Sequence, residues 1–566
     1  MAAPTRRSML RLLLSSPLYG CARPSAPSLA APTEGAADAP ATLIVHRADV
    51  RTLDGSAPGA TAIAVRDGVI LELGDDALLE RWRGADTRVL DLAGGTVTPG
   101  LVDAHAHLVG LGDSLQSVDL RGATSMDDVV ERLKAGAPPS GWVRGRGWDQ
   151  NLWPGATMPS HNPITQAFPD RPVWLKRIDG HAAWGNAALM RAAGIRADTP
   201  DPEGGEILRD GSGAATGVFI DAAMDLVHAP PPTADDVRHW LLTAQEHILA
   251  RGLTGVHEMG IGPLEDQVYR ALASDTDGLR VRVHAYAAEG WFVRDLLDQA
   301  PDPIRADARY TLAGVKVYAD GALGSRGAAL LAPYADRHDH TGLMQHDIPG
   351  LRRVVKQAMR GGWQVATHAI GDAANRAVLD AYEAGLPYAA RTDPRPRVEH
   401  CQIVDPVDIV RFADLGVIAS MQPTHATSDM PWAAERLGTD RLAGAYAWQR
   451  YLEAGAHLAF GSDFPVELAD VTHGLYAAVT RQDAAGQPSG GWLPDQRVSL
   501  EQALRSFSYE AAYAAHREAH VGRLAPGYRA DLTCFAAPLD EANPAALREA
   551  AVRGTVVDGV VAYWAD

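Results

Sequence analysis

Eight short β-branched runs alternate with helix-like stretches rich in Ala, Leu, Glu and Arg across most of this chain. The runs fall near residues 97–104, 253–258, 281–286, 313–318, 364–368, 397–401, 417–421 and 457–462. Strand-then-helix alternation builds parallel sheet with crossover helices, and eight such units are what a closed barrel needs. The expected fold is therefore α/β, a (β/α)8 TIM barrel over about 98–521.

The gap between the first and second runs is about 150 residues, too long for one connection, and predicts an insertion at about 112–235. Within it, 142–153 is rich in aromatics around Trp148, and a polar cluster holds Arg177, Asp179 and His181. Trp148 and His181 are candidate substrate contacts if the insertion is a lid; a purely structural insertion would bury the same aromatics. Residues 41–97 are strand-like, with an Asp67-Gly68 hairpin signal, and 522–566 carry another at Asp558-Gly559. These end segments are expected to pair into one small β-sandwich.

Residues 1–40 differ in kind. Arg6-Arg7 ahead of Leu12-Leu13-Leu14 resembles a twin-arginine export signal, and Leu18-Tyr19-Gly20-Cys21 resembles a lipoprotein cleavage box, although Tyr19 is atypical there. This reading implies a periplasmic protein or a lipoprotein anchored through Cys21. A disordered tail or a misassigned start, with a cytoplasmic protein, is the alternative. No later run is long and apolar enough to predict a membrane-spanning helix.

Composition narrows the chemistry. A net charge of -18 without a Lys/Arg-rich run in the body argues against nucleic acid as a partner. The 3 cysteines have no CxxC spacing, so a metal would be held by histidines and carboxylates.

The strongest chemical signal is Thr98-Pro99-Gly100-Leu101-Val102-Asp103-Ala104-His105-Ala106-His107, an apolar strand ending in two histidines at i and i+2. Alternate residues of a strand share a face, so His105 and His107 have the spacing of a two-toothed metal clamp. Lys316, His368, His400 and Asp463 then appear at the ends of later runs. A buried lysine is costly unless it is paired or modified. Asp320 and Arg326, in the loop after the Lys316 strand, are further candidates for substrate contact. Asp372 fits a helix N-cap, and His257-Glu258 lacks the HExxH pattern of a zincin and fits a second-strand position near the site.

The order HxH, Lys, His, His, Asp resembles the binuclear amidohydrolase superfamily. The stretches Ala319-Asp320-Gly321-Ala322-Leu323-Gly324-Ser325-Arg326, Thr367-His368-Ala369-Ile370-Gly371-Asp372, Val398-Glu399-His400-Cys401-Gln402 and Gly461-Ser462-Asp463-Phe464-Pro465-Val466 resemble its family 3 branch, which includes N-substituted formamide deformylase. The resemblance covers about residue 41 to the C-terminus. It implies a hydrolase of amide or formamide-like C–N bonds acting on a small molecule. His105, His107 and Asp463 would hold one divalent cation, His368 and His400 a second, and Lys316, carboxylated on its amine, would bridge them. It further implies zinc as the metal, Asp463 as the catalytic proton carrier, and a homodimer. With Lys316 unmodified, a single-metal site is expected. A deaminase, an ester or phosphotriester hydrolase, or a non-catalytic exported binding protein stays open on the same scaffold.

Overall fold

The computed structural model describes residues 39–139, 141–177, 182–202, 205–228 and 231–565. Cys21 and the export-signal segment lie outside the described residues, as does His181.

Eight parallel strands form the central sheet: β1 (Leu101–Ala106), β2 (Leu253–Ile261), β3 (Arg282–Ala288), β4 (Tyr310–Tyr318), β5 (Gln364–Ala369), β6 (Arg397–His400), β7 (Ile418–Met421) and β8 (Leu458–Phe460). Neighbours in sequence are neighbours in the sheet, so the curl brings β8 back to β1. Backbone hydrogen bonds just past the strand ends close that seam, Asp463 N to His105 O at 2.8 Å and His107 N to Phe464 O at 2.9 Å. Asp103 reinforces it, its carboxylate accepting the Ser462 amide and, at 2.6 Å, the Ser462 hydroxyl. Gly461 permits the close approach, because a Cβ there would stand 2.5 Å from Asp103 Oδ1. The chain is thus a TIM barrel, wrapped by helices whose apolar faces merge with the strands in one large core.

The first predicted strand divides between two sheets. Thr96–Pro99 pairs antiparallel with Leu532–Phe535, and only after Gly100 does the chain enter the barrel as β1. Pro99 lacks an amide donor, which suits the end of a strand. A Cβ at Gly100 would sit 2.4 Å from Thr254 Oγ1.

The end segments form the small β-sandwich. A four-stranded sheet from Leu43–His46, Ala62–Arg66, Val69–Gly74 and Arg88–Asp91 faces a five-stranded sheet that joins Asp49–Val50 and Thr96–Pro99 to Leu532–Phe535, Val552–Val557 and Val560–Trp564. Leu43, Val45, Ile63 and Val65 pack against Val97, Leu532 and Val556 between them. Both Asp-Gly turns take left-handed conformations, with φ of 51° and 78° at Asp67-Gly68 and 54° and 72° at Asp558-Gly559, as tight hairpins require.

Between β1 and β2 lies a six-stranded sheet running from Val118 to Asp221, with its own core of Leu120, Val129, Trp148, Trp153, Leu175 and Trp184. Among the described residues no helix is long and apolar enough to cross a membrane.

Candidate metal centre

The C-terminal ends of the barrel strands bring His105, His107, Lys316, His368, His400 and Asp463 together. One donor atom from each of His105, His400 and Asp463 lies within 4.8 Å of the others. Asp463 Oδ1 stands 3.1 Å from His107 Nε2 and 3.6 Å from His105 Nε2. The His400 ring centroid lies 4.6 Å from that of His105 and 4.6 Å from that of His368. Lys316 Nζ is 3.3 Å from His105 Nε2.

The partners behind these rings decide which nitrogen faces the pocket. His105 Nδ1 meets Glu399 Oε2 at 2.6 Å, His107 Nδ1 meets the Met259 carbonyl at 3.0 Å, and His400 Nδ1 meets Gln422 Oε1 at 2.9 Å. Each partner is an oxygen acceptor, so each Nδ1 carries the proton and each Nε2 presents a lone pair. Asp463 Oδ1 and His368 Nε2 are buried without a hydrogen-bond partner. Inward lone pairs, an unsatisfied carboxylate oxygen and oxygen acceptors behind the rings are what a divalent cation requires, so the donor set fits a metal.

Electrostatics agree. Burial lowers His105 to about 4 and His368 to about 3, with the Lys316 charge adding to the effect, so both rings are neutral and free to donate lone pairs. Burial works against ionising Asp463, yet the imidazoles of His105 and His107 around it hold its carboxyl below the ordinary range. Burial also lowers the Lys316 amine to about 8, and among the described residues it forms no ion pair. His400 and Asp463 sit in the left-handed region at φ of 76° and 61°. Such backbone costs of order 1–3 kcal/mol per residue and persists where surrounding contacts fix it.

Several residues that hold the site were not singled out from sequence. Arg397, fully buried, fills the barrel interior beneath it, its guanidinium reaching Glu399 Oε1 at 2.8 Å, His257 Nδ1 at 2.6 Å, Tyr286 Oη at 2.9 Å and the Ala104 carbonyl at 2.6 Å. Burial opposes ionisation of Glu399, but Arg397 and His105 hold it well below the usual carboxylate range. Glu258, expected from the sequence at a second-strand position near the site, accepts the backbone amides of Leu108 and Val109 and so fixes the turn that follows the HxH pair. The available signal is alternation, since Arg397 and Glu399 lie two apart and so share one face of the strand Arg397–His400.

Asp320, Arg326 and Trp148, the other expected contacts among the described residues, are engaged within the protein. Asp320 is fully buried, and its carboxylate accepts the amides of Ala329, Ile370 and Gly371 at 2.8–2.9 Å, clamping two loops beside His368. Arg326 pairs with Asp336 at 2.8 Å. Trp148 is buried in the core of the inserted sheet, where its Nε1 donates to the Leu175 carbonyl at 2.8 Å. Both Asp320 and Trp148 are thereby packed away from a substrate. Asp372 is the first residue of its helix rather than the N-cap, which is Gly371, and it accepts the Leu331 amide at 2.8 Å.

A sequence model of the amidohydrolase family matches residues 88–563. The chain is 34% identical over 516 residues to the putative amidohydrolase YtcJ of Bacillus subtilis strain 168, covering 89% of this chain and 96% of that protein. It is 30% identical over 552 residues to the N-substituted formamide deformylase of Arthrobacter pascens, covering 92% and 98%. A crystal structure of an uncharacterized metal-dependent hydrolase from Pyrococcus furiosus matches with a TM-score of 0.73 at 28% identity, covering 88% of this chain and 99% of that one. The chain belongs to the amidohydrolase family of metal-dependent hydrolases.

Proposed function

We propose that this enzyme hydrolyses the C–N bond of an N-acylated small molecule, a formamide or another amide, with two zinc ions held at the mouth of the barrel. The observation that carries the reading is the convergence of inward Nε2 atoms from His105, His107 and His400 on the unsatisfied Oδ1 of Asp463. The name of the Arthrobacter relative, an N-substituted formamide deformylase, supports a formamide-like substrate. Exposed Tyr318, its ring 5.5 Å from that of His368, and exposed Val466, its amide donating to the Asp463 carbonyl, suit an apolar substituent on the scissile amide.

In this reading His105, His107 and Asp463 would hold one cation and His368 and His400 the other, and Lys316, carboxylated on its amine, would supply further oxygen ligands. Burial favours the neutral lysine amine, whose lone pair adds to the carbon of CO2. The N–C bond forms as one C=O π bond of CO2 opens onto oxygen, a proton passes from the nitrogen to water, and the neutral amine becomes an anion bearing two oxygens. When bound, divalent cations lower the pKa of water towards about 7 and polarise a carbonyl oxygen. Asp463 accepts the proton of the attacking water and delivers it to the departing nitrogen. Glu399 and Arg397 keep the His105 ring fixed throughout.

Zinc-loaded protein assayed on N-formyl and N-acetyl amines, N-acyl amino acids, carboxylic esters and phosphotriesters tests the substrate class. Release of amine and acid from the amides supports the proposal. Turnover confined to esters or phosphotriesters overturns it.

A further inference from the structure

An imidazole that the chemistry above does not use lies against Asp463. His425 stands on the helix Pro423–Leu437 that follows β7. The residue is buried, and its ring stacks on His400 with centroids 5.8 Å apart and planes at 19°. Its Nε2 lies 3.7 Å from Asp463 Oδ2 and has no hydrogen-bond partner. On the opposite edge, Nδ1 meets Gln402 Nε2 at 3.3 Å.

Two observations place the proton on Nε2. The Gln402 amide is the donor to Nδ1, which leaves Nδ1 as an acceptor. A lone pair on Nε2 would face the Asp463 carboxylate and be repelled, whereas an N–H there is attracted. The Nδ1 edge of the ring is held by Gln402, whose backbone carbonyl accepts the Tyr446 amide at 2.7 Å. The two oxygens of Asp463 thus have different neighbours. Oδ1 faces the His105 and His107 pair, and Oδ2 faces His425.

We propose that His425 is a positioning residue, whose Nε2–H holds Asp463 Oδ2 so that Oδ1 is presented to the cation and the carboxylate keeps one orientation while it carries its proton. The role given to Asp463 rests on the function proposed above. The orienting effect itself does not depend on which substrate is cut, and so it can be read from metal binding alone.

The test compares His425→Phe, which keeps an aromatic ring over His400 but removes the N–H, with His425→Gln, which keeps an N–H donor. Groups that orient metal ligands typically contribute about 10–100-fold in metal affinity or activity. Zinc affinity, read by chelator competition on the full chain, is expected to fall about 10–100-fold in His425→Phe and to return to within about fivefold of the parent in His425→Gln. With any substrate that the parent turns over, kcat should follow the same order while KM changes less. Parent-like zinc affinity in His425→Phe overturns the proposal, and so does equal loss in both variants with a matching fall in Tm, which marks a packing role. A difference in zinc affinity without amide turnover by the parent would sink the C–N reading and leave the positioning role standing.

Discussion

His105 Nδ1 lies 2.6 Å from Glu399 Oε2, and both side chains are shut away from solvent in the barrel interior. The carboxylate fixes the ring tautomer and thereby aims Nε2 at the pocket. Arg397 supplies the charge that keeps Glu399 ionised at that depth.

Glu399→Gln removes the charge and keeps the shape. Zinc affinity is expected to fall about 10–100-fold, measured by chelator competition. Arg397 is left without its anion, so Tm should fall as well.

Lys316→Ala should bind about half the zinc of the parent by elemental analysis, because the bridging anion is gone. In the parent, growth with 13C-bicarbonate should give a carbamate resonance that the variant lacks. Equal metal content and equal rates in the two proteins would remove the bridging role.

Stability at low pH should depend on Asp531, where the C-terminal sheet meets the barrel. Its buried carboxylate accepts Arg282 Nε at 2.5 Å, Arg282 Nη2 at 3.1 Å and the Asp558 amide at 2.8 Å. Burial raises its pKa, but Arg282 outweighs burial and the folded value lies below the ordinary one. A depressed folded value means that the contribution is complete above the unfolded pKa of about 3.9 and is lost as pH falls towards the folded value. Asp531→Asn should therefore cost about 3–5 kcal/mol at neutral pH. It should also flatten the acid limb of a Tm-against-pH curve, since the variant has no such carboxylate to protonate.

The barrel was legible in the sequence because its strands are apolar, short and punctuated by helices, and the His105–His107 spacing reads the same in any extended segment. Local pattern could not reveal that Pro99 and Gly100 move the chain from one sheet to another, since that depends on Thr254 and Asp531 far along the sequence. Arg397 shows a similar limit: a charged residue in a strand reads as solvent-facing until closure of the barrel surrounds it with Glu399, His257 and Tyr286. Trp148 invited a ligand-binding reading because aromatics serve cores and pockets alike. His425 sits in a helix with no metal-ligand spacing, and only the fold brings it to Asp463.

Anomalous diffraction at the zinc edge, from crystals of protein purified with zinc, would locate the metal. Stoichiometric metal bounded by His105, His107, His400 and Asp463 is expected, with loss of that density in His105→Ala. Full catalytic turnover by protein that has been stripped by chelators and shows no metal density at these residues would contradict that expectation.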